Sequence, residues 1–368
     1  MRSMFKLILA ITFACILFTA WCFYRILPFP TWGKGLFALL YLGCFLLFFV
    51  RYVFRNGEPP LWLGTATYLI STSWMVFFVY ALLLFAALWL GRAVGLVPAG
   101  FLKDSAAGSC TVIGIITVLL TYGYFHYQHK YREVIDIQTD KPLEKPLTLV
   151  LASDLHVGYH NRKAELGRWC DLFNREEPDL ILIAGDILDG DLYPVNAWHC
   201  EEEFRRLRAP VYACLGNHEY ISGESGSEAF YDKAGIHLLR DSAVRTAGIR
   251  IVGRDDRSNR NRLPLEVLCP QEDTVFTLLL DHQPYHLEEA EAAGVDFQFS
   301  GHTHHGQIWP GNWITDAMYE KAFGPHRRGA TRYYVSSGLG IWGGQFRIGS
   351  RSEYIVLRLH GRRNPETE

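Results

Sequence analysis

Two hydropathy patterns divide the chain. Up to about residue 125, apolar residues run in long blocks with few charges; beyond it, short apolar runs alternate with polar and charged stretches. A hydrocarbon core of about 30 Å takes about 20 helical residues to cross. Four blocks approach or exceed that length: roughly 7–24, 35–50 with its flanks, 66–90 and 106–125. The first follows Arg2 and Lys6, as a signal peptide would. Trp21-Cys-Phe-Tyr-Arg25 stands where small residues would mark cleavage, and three more blocks follow, so it reads as a retained helix. Trp21, Tyr24, Trp32, Tyr52, Trp62 and Trp89 lie near block ends, where an interfacial aromatic belt belongs. Pro28-Phe-Pro30 and Pro59-Pro60 mark turns. The blocks lack the buried polar pairs of a transport path, which disfavours a transporter.

From Tyr131 the period changes. Val134-Ile-Asp-Ile-Gln138 alternates like an edge strand, and Pro142 and Pro146 punctuate a linker. Strand-like runs follow at 147–153, 179–184, 211–215, 249–253, 274–280, 297–300, 333–336 and 354–359, with helical stretches at about 162–175, 199–208 and 225–234. Several runs are apolar throughout and so are buried on both faces. The order predicts an all-α membrane region of four transmembrane helices (1–126), a linker and edge strand (127–146) and an α/β domain (147–368). In that domain two sheets pack as a β-sandwich flanked by helices.

Charge refines this division. Arg2, Lys6, Arg51, Arg55, Lys130 and Arg132 would lie on one side of the bilayer, and Arg25, Lys34, Arg92 and Lys103 on the other. The excess puts the amino terminus and the C-terminal domain in the cytoplasm. A net charge of −2 gives no reason to expect nucleic acid. The eight cysteines form no CxxC pair and read as small buried hydrophobes, not disulfides or zinc thiolates.

Candidate chemistry gathers where predicted strands end. The stretch Gly301-His302-Thr303-His304-His305-Gly306-Gln307 follows one strand, and in an extended segment His302 and His304 would point the same way. Asp154 and His156 follow a second strand, Asp186 a third, Asn217 and His218 a fourth, and His282 a fifth. In α/β folds such carboxyl ends converge. Asp, Asn and His without Cys suit Mn²⁺, Fe or Zn²⁺ better than Ca²⁺ or Mg²⁺. Seven ligands exceed the needs of one tetrahedral ion and match two ions sharing a carboxylate. Such a pair, about 3.5–4 Å apart, can clamp a phosphoryl group and ionise water.

The series Asp154-x-His156, Gly185-Asp186-x-x-Asp189, Gly216-Asn217-His218-Glu219, His282 and Gly301-His302-x-His304 resembles the calcineurin-like metallophosphoesterase superfamily over about residues 147–360. The resemblance implies a dinuclear site and a metal-dependent phosphoric ester or anhydride hydrolase. Asp154, His156, Asp186 and His304 would hold one ion. Asp186, Asn217, His282 and His302 would hold the other, with Asp186 bridging. The ions would be manganese first, iron or zinc next. His218 would serve the leaving group, Asp189 would orient His218, and a bridging hydroxide would attack phosphorus in line. Gly190 stands where protein phosphatases of the superfamily carry Arg, which disfavours a phosphoprotein substrate. The ending through Gln307 and Tyr334-Val-Ser-Ser-Gly-Leu-Gly340 is similar to a bacterial membrane-associated branch, with an inner-membrane location and lipid-linked or nucleotide-sugar diphosphates as substrates. That branch more usually has Gly where His305 stands; His305 reads as a substrate-side or solvent-facing group.

Two further readings concern partners. Asp255, Asp256 and Arg257 form a charged loop after a strand that reads first as a solvated turn and second as a substrate contact. Trp309, Trp313, Met318, Tyr319, Phe323 and Trp342, in loops after the metal motif, read either as packing or as an interfacial rim drawing substrate from the lipid bilayer. The alternative to an enzyme is a membrane sensor or scaffold that keeps the metal-binding fold without activity.

Overall fold

The computed structural model describes residues 2–54, 58–269 and 274–362; Arg55, counted above, lies outside them, as do the side chains of Arg2, Arg51 and Tyr52. It divides into two compact units. The first comprises the chain up to Phe125 with the short segment Gly343–Phe346. Among the described residues, four segments are long and apolar enough to cross a membrane: Lys6–Ile26, Thr31–Phe49, Leu61–Ala93 and Ala106–Gln128. Pro30 and Pro60 cap the second and third, where a ring without an N–H costs nothing. Inside this unit the Thr19 hydroxyl bonds that of Tyr41 at 2.8 Å. Phe23 packs on Phe37, Tyr41, Phe77 and Phe85. Arg25 lies over Trp21 and Trp89, and Lys34 pairs with Asp104.

The second unit holds twelve strands among its described residues. These are β1 (Lys130–Pro142), β2 (Leu147–Ala152), β3 (Leu180–Ala184), β4 (Val211–Cys214), β5 (Ile236–Leu238), β6 (Ser242–Thr246), β7 (Ile249–Gly253), β8 (Phe276–Leu280), β9 (Phe297–Ser300), β10 (Gly324–Arg328), β11 (Thr331–Val335) and β12 (Ser352–Arg362). They form two six-stranded sheets, ordered β1-β12-β2-β3-β4-β5 and β10-β11-β9-β8-β7-β6. β2 to β5 are parallel, and so are β7, β8, β9 and β11. Parallel neighbours need crossovers, which the helices Lys163–Arg175, Glu224–Ala234 and Leu287–Ala292 help to supply.

Alternation along each strand builds the layers. Leu149, Leu151, Leu180 and Leu182 meet Ile251, Leu278, Phe297 and Phe299 between the sheets. Val150, Ile181 and Ile183 face the other way, onto Trp169, Phe173 and Phe230 of the outer helices. Val252 and Leu279 do the same on the second sheet, against Leu265, Leu287 and Ala290. Fully burying one such side chain is worth about 1.5–3 kcal/mol, which explains why these strands read as unbroken apolar runs.

The expected sandwich with flanking helices is present, with differences in detail. β1 extends the expected edge strand through most of the stretch read as linker and edge strand, and pairs with β12 from Lys130↔Ser352 to Gln138↔His360. The preceding helix runs to Gln128, so no extended linker separates the two patterns. β5, β6 and β10 are short, with half-exposed residues and little apolar signal. The helix expected at 199–208 is only the short Glu201–Phe204, and a separate short helix, Leu192–Ala197, precedes it.

Candidate metal centre

The seven candidate ligands follow β2, β3, β4, β8 and β9, so both sheets contribute through their carboxyl ends. The turns that aim them are tight. Asp154, His156, Asp186, His302 and His304 adopt φ of 54°, 47°, 51°, 70° and 48°, a left-handed conformation unusual for residues with a Cβ. Such residues cost about 1–3 kcal/mol each and persist where the surroundings over-determine them. Here the backbones brace one another: Asp154 N donates to Gly185 O at 3.1 Å and His156 N to Asp186 O at 3.0 Å. Gly185 has φ 73°, and a Cβ there would come within 2.7 Å of Gly216 N and 2.9 Å of His282 Nδ1, so only glycine lets these turns close.

Two groups of ligand atoms result. In the first, His156 Nε2 lies 3.1 Å from His304 Nε2 and 3.9 Å from Asp154 Oδ1, which is 3.4 Å from His304 Nε2. In the second, Asn217 Oδ1 lies 3.2 Å from His282 Nε2 and 2.8 Å from His302 Nδ1. Asp186 stands between: its Oδ2 is 3.1 Å from His282 Nε2 and 3.7 Å from His156 Nε2. The expectation that His302 and His304 point the same way fails. Left-handed turns, not an extended strand, carry them, and their rings face different groups.

Burial sets the electrostatics. Desolvation would raise the Asp186 carboxyl, but His282, His218 and His156 outweigh it and hold it well below the usual carboxylate range. Burial would lower His282, yet Asp186 beside it holds the imidazole well above its ordinary value. Burial, reinforced by His282, pushes His302 down to about 4. Burial and the neighbouring His156 and Arg347 push His304 well down. His156 and His304 turn buried Nε2 atoms toward each other at 3.1 Å. A divalent cation would satisfy both together with the nearby carboxylates. The nitrogen and oxygen donors, without thiolate, fit Mn²⁺, Fe or Zn²⁺.

His218 stands beside the first group, its ring 4.5 Å from that of His156. Its Nδ1 contacts the main-chain oxygen of Asp189, and the Asp189 carboxylate is 3.8 Å from the same atom. That carboxylate is nearer to His156 Nδ1, at 3.4 Å. Burial pushes Asp189 up, but His160, His156 and His218 bring it down to about 2. An ionised Asp189 behind His156 keeps Nε2 turned toward the ligand group, the usual arrangement around a metal-bound imidazole.

The sequence of the domain matches the model of the calcineurin-like phosphoesterase family over residues 147–306. An uncharacterized metallophosphoesterase of Aquifex aeolicus is 30% identical over 262 residues, 68% of this chain and 99% of that protein. The chain belongs to the calcineurin-like phosphoesterases. An uncharacterized metallophosphoesterase of Helicobacter pylori is 29% identical over 342 residues, 89% of this chain and 91% of its own, so that likeness extends into the apolar region. The transmembrane protein with metallophosphoesterase domain of Danio rerio is 28% identical, covering 88% of this chain and 79% of its own.

In this phosphoesterase, two buried charged residues, Glu219 and Arg347, hold the centre in shape. Glu219 is fully buried and accepts the N–H groups of Gly216 at 2.7 Å and of Asp186 and Leu188 at 3.0 Å, tying the Asp186 turn to the Asn217 turn. Its motif was visible, but not this role. Arg347, also fully buried, donates to His304 O at 2.8 Å, Ser337 O at 2.6 Å and Gly340 O at 2.7 Å. It therefore fixes the backbone of one candidate ligand and the 337–340 loop. Its surroundings, Gln345-Phe-Arg-Ile-Gly349, carry no recognisable pattern.

Other expectations change. Asp255 and Asp256 are not in a solvated turn. Both are buried: Asp255 accepts from Tyr220, Arg240 and Asn259, and Asp256 from Ser258 and Gln283. His305 stacks on Phe323 and lies 3.4 Å from Asp316, apart from both ligand groups. The aromatic stretch after Gln307 is not wholly loop. Gly311–Met318 is a helix, its apolar side chains spaced to form one stripe.

Proposed function

We propose that this chain is a membrane-anchored, dinuclear metal-dependent phosphoesterase acting on a phosphodiester, phosphomonoester or diphosphate, with a lipid-linked or nucleotide-sugar diphosphate as the favoured class. The observation that carries the reading is Asp186, one carboxylate oxygen lying between two nitrogen-rich groups. Asp154, His156, Asp186 and His304 would hold one ion, and Asp186, Asn217, His282 and His302 the second. When bound, the ions supply Lewis acidity to phosphoryl oxygens and acidify water. The side chains do the rest. His218, held at Nδ1 by the Asp189 carbonyl, keeps Nε2 for a proton on the leaving oxygen. Asp189 fixes His156 from behind.

The helix Gly311–Met318 supports a lipid substrate. Trp313, Ile314 and Met318 are 63%, 60% and 61% exposed, and Trp309 packs edge-on against Trp313. Large apolar side chains exposed together on a short helix suit the headgroup region of a bilayer. The same chain carries four apolar helices, and the excess of Lys and Arg favours an inner membrane with the domain on the cytoplasmic side.

Full-length protein in detergent, loaded with Mn²⁺, should hydrolyse bis(p-nitrophenyl) phosphate or p-nitrophenyl phosphate. Bound metal without turnover of either would favour the sensor.

A further inference from the structure

Arg257 follows the buried pair Asp255 and Asp256 and stands over the Tyr285 ring, its guanidinium carbon 4.3 Å from the centroid. The Tyr285 hydroxyl bonds that of Tyr319 at 3.1 Å, with the two rings 4.7 Å apart. Tyr319 in turn meets His302 edge-on at 6.3 Å. These contacts connect the guanidinium to the second ligand group through two tyrosine rings. The Arg257 charge is also felt at the Tyr319 hydroxyl.

The nearby carboxylates are committed elsewhere. Asp255 serves Tyr220, Arg240 and Asn259, and Asp256 serves Ser258 and Gln283. Asp281 is shared by Arg254 and Arg262. No carboxylate among the described residues pairs with Arg257. Its Nη1 is buried and has no hydrogen-bond partner. A buried donor left unmade is costly, and a guanidinium prefers the planar oxygens of phosphate. An aromatic face below limits the side chain's freedom, so little order remains to be imposed when an anion arrives.

We propose that Arg257, braced on Tyr285 and Tyr319, recognises a second phosphate of the substrate, distinct from the phosphoryl group that meets the ligand side chains. Two tyrosine rings separate it from His302, so it serves a neighbouring phosphate and not the reacting one. This rests on the phosphoesterase reading and narrows it to diphosphates.

Binding separates the two claims. Full-length, Mn²⁺-loaded protein in detergent is titrated calorimetrically with methylenediphosphonate, which is not hydrolysed, and with inorganic phosphate. Arg257→Met keeps an unbranched side chain over Tyr285. It should weaken the diphosphonate about ten- to a hundredfold and phosphate much less; Arg257→Lys should recover part of the loss. Unchanged diphosphonate affinity would overturn the proposal. So would equal losses for both ligands, which would mean that Arg257 only supports the fold. Intact binding by the unsubstituted protein, without turnover of any phosphoester, would instead defeat the hydrolase reading and leave the Arg257 claim to the titration.

Discussion

A carboxylate shared between two ions must be ionised and must reach both. Asp186 meets these demands because histidines surround it and because His218 N donates to its Oδ1 at 2.8 Å, leaving Oδ2 toward His156 and His282. Asp186→Asn should abolish turnover and lower metal content; full activity would rule out a shared carboxylate. His218 has a different part. With Nδ1 against a carbonyl oxygen, it is oriented without being needed as a ligand. His218→Ala should keep the metal while kcat falls about 10²–10⁴-fold, most for poor leaving groups. Metal analysis beside the rate decides, since joint loss of metal and rate would make His218 a ligand. The motif residues were legible because strand ends carried them in sequence. Arg347 was not: an isolated Arg looks the same in sequence whether it is solvated or, as here, fully buried.

At the scale of elements, strands with two buried faces announced themselves, whereas edge strands other than β1 did not. β6 and β10 border solvent, so their side chains carry no alternation strong enough to read. The helix Gly311–Met318 escaped notice for a related reason: it is short, and none of its residues is buried, so no core imposed its pattern. Its exposed apolar stripe is the element to test for lipid contact. Trp309→Ser with Trp313→Ser should impair hydrolysis of a substrate embedded in vesicles and leave a small soluble phosphodiester nearly untouched. Equal losses on both substrates would assign the helix to support of the fold.

Across the whole molecule, the candidate centre joins two sheets whose facing surfaces are largely apolar. Ions bound there would bind the folded state alone, and such binding adds about 2.7 kcal/mol when free ion is a hundredfold above Kd. Chelation by EDTA should therefore lower the melting temperature of the full-length protein, and excess Mn²⁺ should restore it. In Asp186→Asn the shift should shrink or vanish; a melting temperature indifferent to EDTA in the unaltered protein would refute the coupling. The sequence by itself determined the division into an apolar helical region and an α/β domain, because hydrophobic period is a local property of the chain. It also determined the family, because ligand residues sit at set distances from strand ends. Only the tertiary structure decided the turns by which the ligands reach the two groups that the family resemblance implied. His302 and His304 are two residues apart, yet their left-handed turns send them to different groups. It alone decided that Asp255 and Asp256 are buried and that Arg257 has no carboxylate partner among the described residues, because burial and pairing depend on elements far apart in the chain.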